Sequence, residues 1–182
     1  YHLYFSHKTG KKSGLNTTLY YTRGYGYFEQ FRPNDKVKNY GFQPFIIGSD
    51  TIRTTDIIRQ RWLANHLAGI NASWFYINRN WDIVTGLGYN RYLGNHYGKI
   101  LWARIMPLSN HDAEYYHAEG FKSDDNLFVK ATRRFFKSAY VWTDVQIRKV
   151  IHNSSGFDND LRDMRFNKQF TFFNPKFGIS YV

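Results

Sequence analysis

The sequence predicts an all-β fold, an antiparallel up-and-down meander of about seven strands that forms an open segment of a transmembrane β-barrel. Three observations predict it. Apolar and polar residues alternate with period two along most of the chain, aromatic residues make up 20% of it, and short connections alternate with long ones. A barrel wall in a membrane is apolar outside, polar toward the lumen and lined with aromatic rings at both water boundaries.

The hairpin of residues 68–92 shows the alternation most clearly. Ile70 and Trp74 fall on one face of its first strand, and Asn71 and Ser73 fall on the other. A soluble sandwich carries charge on its outward face, whereas the second face here is mostly Gly, Asn and Ser, which favours a wet interior. The hairpin alone leaves a soluble sandwich open as an alternative.

Similar segments follow each other along the chain. The predicted strands cover residues 1–6, 15–30, 57–77, 81–97, 126–135, 139–151 and 168–182. Residues 57–67 also have roughly helical spacing of apolar side chains, but we prefer the extended upper part of the third strand. Pro175 in the last strand indicates an edge, a bulge or a strand end.

The connections between these strands alternate in length. Short turns are predicted at 7–13, 77–80 and 136–138, and long outer loops at 31–56, 98–124 and 152–167. In a meander this alternation puts all short turns on one rim and all long loops on the other. Outer-membrane barrels have that arrangement, with short periplasmic turns and long extracellular loops.

The alternation also assigns residues to faces, because a strand permits only one partition or its inversion. The set expected outside is Ile70, Ala72, Trp74, Ile83, Leu87, Val129, Val141 and Val145. The polar set expected to face the lumen is Asn71, Ser73, Asp82, Asn90, Lys130, Asp144, Gln146 and Arg148.

Composition argues against several function classes. The net charge of +11 is spread over turns and loops instead of one element, which disfavours a nucleic-acid partner. There is no cysteine for a disulfide or thiolate metal site, and no run of 18 apolar residues for a helical span. No catalytic triad, phosphate-binding loop or carboxylate pair stands out, so we expect neither an enzyme nor a cofactor. Both ends interrupt strand patterns, and we expect a fragment of a longer chain.

Five segments carry a family resemblance: Thr22–Glu29, Arg61–Leu63, Asn90–Tyr92, Trp102–Arg104 and Phe172–Gly178. With these segments the chain resembles the barrel of a TonB-dependent outer-membrane receptor of the Bacteroidetes type. The resemblance implies a bacterial cell outer-membrane protein with about 22 strands and a plugged lumen. It also implies import of a scarce ligand such as an iron–siderophore complex, cobalamin or a glycan.

The partners implied are a plug domain of the same parent chain, the TonB complex through the missing N-terminal part, and outer-membrane lipid and lipopolysaccharide. The alternative function is a soluble or surface-attached glycan-binding β domain that stacks sugars on its aromatic residues. The positions of the rings separate the two, because a membrane girdle follows two edges of an apolar band and a lectin gathers rings in one cleft.

Ligand contacts are expected from forked guanidinium groups and aromatic faces near the long loops. The candidates are Arg53, Arg59, Arg61, Trp102, Arg104, Tyr115 and Tyr116. Their alternative roles are loop packing and pairing with lipopolysaccharide phosphate. A weaker candidate is a metal site, whose imidazole and carboxylate groups would come from His111, Asp112, Glu114 and His117.

Overall fold

A computed structural model describes residues 1–105, 114–135 and 138–181, and 84% of these described residues are in β-strands. The strands are β1 (His2–Gly10), β2 (Ser13–Lys36), β3 (Phe45–Ile47), β4 (Asp50–Ile52), β5 (Thr54–Ile77), β6 (Trp81–Ala103), β7 (Glu114–Arg134), β8 (Ala139–Gly156) and β9 (Phe166–Tyr181). A short 3-10 helix, Val37–Tyr40, follows β2. No helix among the described residues is long and apolar enough to cross a membrane.

Seven of these strands form one sheet in the order β1-β2-β5-β6-β7-β8-β9. Every neighbouring pair is antiparallel, and strands consecutive in the meander are neighbours in the sheet. The sheet is open, since β1 and β9 are its edges. The predicted all-β antiparallel meander of seven strands, open at its edges, is therefore confirmed. Pro175 lies in an edge strand opposite Val145.

Several predicted boundaries were wrong, because the strands continue well into the expected loops. β7 begins at Glu114 instead of residue 126, and β2 runs to Lys36 instead of residue 30. Residues 57–67 are extended, as preferred from the sequence. The upper part of β7 carries Asp124 and Asp125 on opposite faces, which hides the alternation in the sequence. Neighbouring strands supply Arg148 to Asp124 and Arg91 to Asp125, so cross-strand ion pairs replace apolar contacts there.

The register gives the sheet two distinct faces. On the first, which we call the apolar face, Ala72, Leu87, Leu127, Ile147 and Phe173 lie side by side across five strands. Most of this row is exposed: Leu127 by 55% and Phe173 by 64%. Among the described residues the one other sheet is the two-stranded pair β3-β4, in the connection between β2 and β5.

The opposite side, the polar face, holds Asn71, Gly88, Asn126 and Arg148 in one row. All eight polar residues assigned to the lumen from the sequence share this face by register. That the face lines a lumen stays a prediction. The only buried apolar cluster among the described residues lies at the long-connection end and joins Tyr40, Ile57, Ile100, Tyr115 and Tyr116.

Candidate functional site: the Arg61 groove and the apolar band

A β-bulge at the start of β7 builds the buried cluster. The register between β6 and β7 shifts between Gly98 and Lys99, so the consecutive residues Tyr115 and Tyr116 both lie over Gly98. A Cβ on Gly98 would lie 2.3 Å from a ring carbon of each tyrosine. Only glycine leaves room for both rings, which meet edge to face at 4.9 Å between centroids.

The 3-10 helix after β2 folds over this cluster. Tyr40 is 2% exposed, and its ring packs edge to face against Tyr115 at 4.9 Å. Burial first, and then the hydrogen bond that its hydroxyl donates to Asp35, raise the pKa of Tyr40. Burial also raises the pKa of Tyr115, so both phenols stay neutral at physiological pH.

Asp35 anchors the connection that carries Tyr40. Its carboxylate accepts hydrogen bonds from the Tyr40 hydroxyl (2.9 Å), Arg32 Nε (3.1 Å) and the backbone N–H of Lys36 (2.9 Å). Partial burial acts to raise the pKa of Asp35, but these hydrogen bonds together outweigh it and the net pKa is lowered. The ionised form of Asp35 therefore stabilises the folded connection.

Two arginines of β5 extend from the cluster along the polar face. Arg59 donates to the side-chain oxygen of Gln30 through Nε (3.3 Å) and Nη2 (2.9 Å), which fixes its guanidinium. Arg61 donates from Nε to the Tyr116 hydroxyl (3.4 Å), and its guanidinium carbon lies 5.3 Å from the centre of the Phe28 ring. Among the described residues the two Nη groups of Arg61 have no hydrogen-bond partner, so they are available to a ligand.

Arg61 divides a groove on the polar face, which we call the Arg61 groove. On one side is a cavity of about 530 Å³ floored by Gly26 and walled by Phe28, Leu63 and Tyr116. A Cβ on Gly26 would meet nothing within 4 Å, so no other group of the protein fills the space directly over this residue. The guanidinium of Arg61 stands in a wall that is otherwise mainly aromatic. This combination suits a planar ligand that carries an oxyanion.

A second cavity of about 460 Å³ lies on the other side of Arg61. It shares Arg61 and His96 with the first and adds His152 and Asp158 from β8 and the connection after it. Desolvation first, and then the charge of Arg61, lower the pKa of His96, so this imidazole is neutral at pH 7. Arg61 is thus the cation common to both cavities.

The structure brings together four of the seven ligand candidates. Arg59, Arg61, Tyr115 and Tyr116 meet on the polar face. The other three lie apart from them. Arg53 is exposed beyond β4, Arg104 pairs with Asp56 at 2.7 Å, and Trp102 lies opposite Ile58 on the other face.

The groove also uses residues that sequence analysis did not select as ligand contacts. Phe28 lies in the resemblance segment 22–29, and His96 lies in the predicted strand 81–97. Their shared parity with Arg61 in neighbouring strands could have indicated them, since Phe28 lies opposite Arg61.

The weak metal candidates lie partly outside the described residues, since His111 and Asp112 belong to the undescribed segment. Glu114 and His117 do meet, with Nδ1 of His117 at 2.9 Å from Oε2 of Glu114. Within the described ranges no group of three or more His, Cys, Asp or Glu side chains could hold a metal ion. The four residues stay weak candidates only.

The apolar face carries a band with two marked edges. Trp74, Tyr76 and Trp81 lie along the edge near the short turns, and Tyr21 and Tyr89 lie along the other. Beyond the second edge the same face turns charged, for example at Arg91. In β2, β6 and β8 the first charged residue on this face comes ten residues after the strand begins (13 to 23, 81 to 91 and 139 to 149). A membrane-spanning barrel strand needs about 9–11 residues.

The band crosses the strands obliquely. In the register of the sheet, Ser13 at the start of β2 lies level with Ile83, which is two residues beyond Trp81, the first residue of β6. Trp81 in turn lies level with Val141, which is two residues beyond Ala139, the first residue of β8. Each edge therefore steps by one residue per strand. At about 3.4 Å per residue and 4.8 Å between strands, this step inclines the band by roughly 35°. Transmembrane barrel strands are tilted by about 35–45°.

Comparison with known proteins gives no relative: no family model, no curated protein and no solved structure matches this chain.

Proposed function

We propose that this chain is a wall segment of an outer-membrane β-barrel that imports a scarce ligand, in the manner of a TonB-dependent transporter. The observation that carries the proposal is the exposed apolar band, which crosses the strands at the inclination of a barrel wall. A soluble sheet has no reason to keep an uncovered apolar stripe of constant width at a constant slant.

Three matching strands support a lipid-facing role for this band. The apolar-face residues of β2 are Ser, Leu, Thr, Leu, Tyr and Arg, and those of β6 are Trp, Ile, Thr, Leu, Tyr and Arg. The series in β8 is Ala, Val, Thr, Val, Ile and Lys. The three strands run in the same direction, so equivalent positions would lie at equal depth in a membrane.

The ligand would enter through the Arg61 groove, at the long-connection end of the polar face. An iron complex or another ligand with a planar oxyanion matches the free Nη groups of Arg61 and the Phe28 ring beside them. In this proposal a plug domain of the parent chain fills the remaining lumen, and the TonB complex supplies energy through that plug.

Cysteine labelling tests the membrane assignment, since the chain has no cysteine of its own. In the full-length protein, Leu127→Cys and its neighbour Asn126→Cys place single thiols on opposite faces. We expect a lipid-phase quencher to reach a fluorophore on residue 127 and a water-soluble maleimide to react only at residue 126. Equal aqueous labelling of both thiols would contradict the proposal.

Uptake tests the ligand site. We expect Arg61→Ala to reduce uptake of at least one of a ferric siderophore, cobalamin and an oligosaccharide by about tenfold or more, as expected for a lost charge-assisted hydrogen bond. Arg104→Ala, whose side chain is 69% exposed, is the matched control. Unchanged uptake of all three probes in Arg61→Ala would contradict the groove assignment.

One observation favours the second candidate, a soluble or surface-attached glycan-binding domain. Tyr27, Trp62, Tyr97 and His117 form a row of rings across four strands on the apolar face beyond the band, and Trp62 and Tyr97 are parallel within 4° at 5.9 Å. Such a row could stack sugars. Oligosaccharide binding that is lost in Trp62→Ala, by a protein that stays soluble, would favour this function instead.

A further inference from the structure

Arg133 lies between two aromatic rings at the short-turn edge of the apolar band. It lies opposite Trp81 and Val141 in the sheet. Its guanidinium carbon is 5.0 Å from the centre of the Trp81 ring and 5.0 Å from that of Phe135. The two rings hold the guanidinium at the boundary of the band.

The arginine at the opposite edge of the band differs in one respect. Arg91 also stacks on a ring, with its guanidinium carbon 3.8 Å from the centre of Tyr89. Both of its Nη groups, however, donate to the carboxylate of Asp125. In the part of the chain that the structure describes, no carboxylate comes within 4.0 Å of Arg133. The short-turn edge therefore presents an uncompensated guanidinium.

We propose that Arg133 binds the phosphate group of a phospholipid at the short-turn edge of the band. The inference rests on the proposed membrane location, which puts Trp81 and Arg133 at the level of the headgroups. A guanidinium matches phosphate geometry with two parallel N–H donors. Favourable charge at this end also comes from Lys11, Lys12 and Arg79 of the short turns and from Arg134 at the end of β7. Asp82, the acid nearest to Arg79 in the sequence, is on the polar face.

The test uses the full-length protein in maltoside micelles, which contain no phosphate. Phosphatidylglycerol, a galactosyl diacylglycerol and inorganic phosphate are titrated separately, and binding is measured as a shift in thermal unfolding midpoint. We expect phosphatidylglycerol to bind and the galactolipid to bind at least tenfold more weakly. Arg133→Gln should weaken phosphatidylglycerol binding about tenfold, the effect of losing a charge-assisted hydrogen bond.

Two variants keep the test decisive if Arg133→Gln folds poorly. Arg133→Lys keeps the charge but loses the fork, and it should give an intermediate loss. Arg91→Gln is the control on the other edge, and it should leave phosphatidylglycerol affinity unchanged because Arg91 is already paired.

Four results would overturn the inference. Equal affinity for the galactolipid would exclude phosphate recognition, and equal affinity for inorganic phosphate would indicate a free-anion site instead of a lipid site. A protein that inserts into membranes but binds phosphatidylglycerol equally well with and without Arg133 would overturn this inference alone. Failure to insert at all would overturn the proposed function together with it.

Discussion

The two ends of the sheet differ in how they hold their side chains. At the long-connection end, β5, β6 and β7 bury Ile57, Ile100 and Tyr116 under the 3-10 helix. Among the residues described at the short-turn end, the same strands bury no comparable cluster. Leu127 of β7 and Ile147 of the neighbouring β8 are at least half exposed. The long-connection end therefore carries its own small core, whereas under the proposed function lipid would cover the short-turn end.

The largest expected effect comes from a charge on the apolar face. Leu127→Arg should destabilise the protein in lipid vesicles by about 2–4 kcal/mol, the cost of an arginine near the bilayer midplane. Asn126→Arg, one residue away on the polar face, is the matched control and should cost much less. Equilibrium urea unfolding in vesicles measures both, and equal effects would remove the contrast between the two faces.

A smaller effect is expected in the core of the long-connection end. Gly98→Ala forces a Cβ to within 2.3 Å of two tyrosine rings, and the strain of such overpacking is about 1–3 kcal/mol. Gly26→Ala meets nothing within 4 Å and is the control. Urea unfolding measures the loss, which should be the same in detergent and in lipid because the core excludes both. A loss that depended on the lipid would contradict the proposed independence of this core.

The smallest effect concerns pH. The pKa of Asp35 is lowered in the folded protein, so its stabilisation is complete above the unfolded pKa of about 3.9 and is lost as pH falls through the folded value. Amide exchange of Gly41 and Phe42, which donate to carbonyls of the 3-10 helix, should accelerate in that acidic range. Asp35→Asn should remove the pH dependence, and a dependence that survives in Asp35→Asn would assign the effect to another group.

Sequence patterns predicted the short-turn half of the sheet better than the other half. Near the turns, residues of the uncovered apolar face alternate without interruption with residues of the polar face, as Leu87 and Gly88 do. Period two alone therefore defines the strands there. Farther along, residues such as Asp125 and Arg91 occupy the apolar-face positions and the alternation ends although the ladder continues. Ion pairs between strands stabilise that part, and their partners are distant in sequence.

The groove was predictable only in part for a related reason. Arg61 and Tyr116 were selected by residue type, but their contact depends on the bulge that turns Tyr115 and Tyr116 to one side. A bulge is a property of two paired strands, and neither strand alone specifies it. Phe28 and His96 join the groove through the same cross-strand register.

Two long connections are attached to one buried cluster. Phe42 packs against the cluster from the connection after β2, and Leu161 packs against it from the connection after β8. Leu161 does so with a φ of 60°, a conformation that a leucine seldom adopts without support from its surroundings. An insertion that shifts either connection would therefore disturb the cluster that the other connection also packs against. During evolution toward a new ligand, the two segments would have to change together, and substitutions tolerated in one would depend on the history of the other.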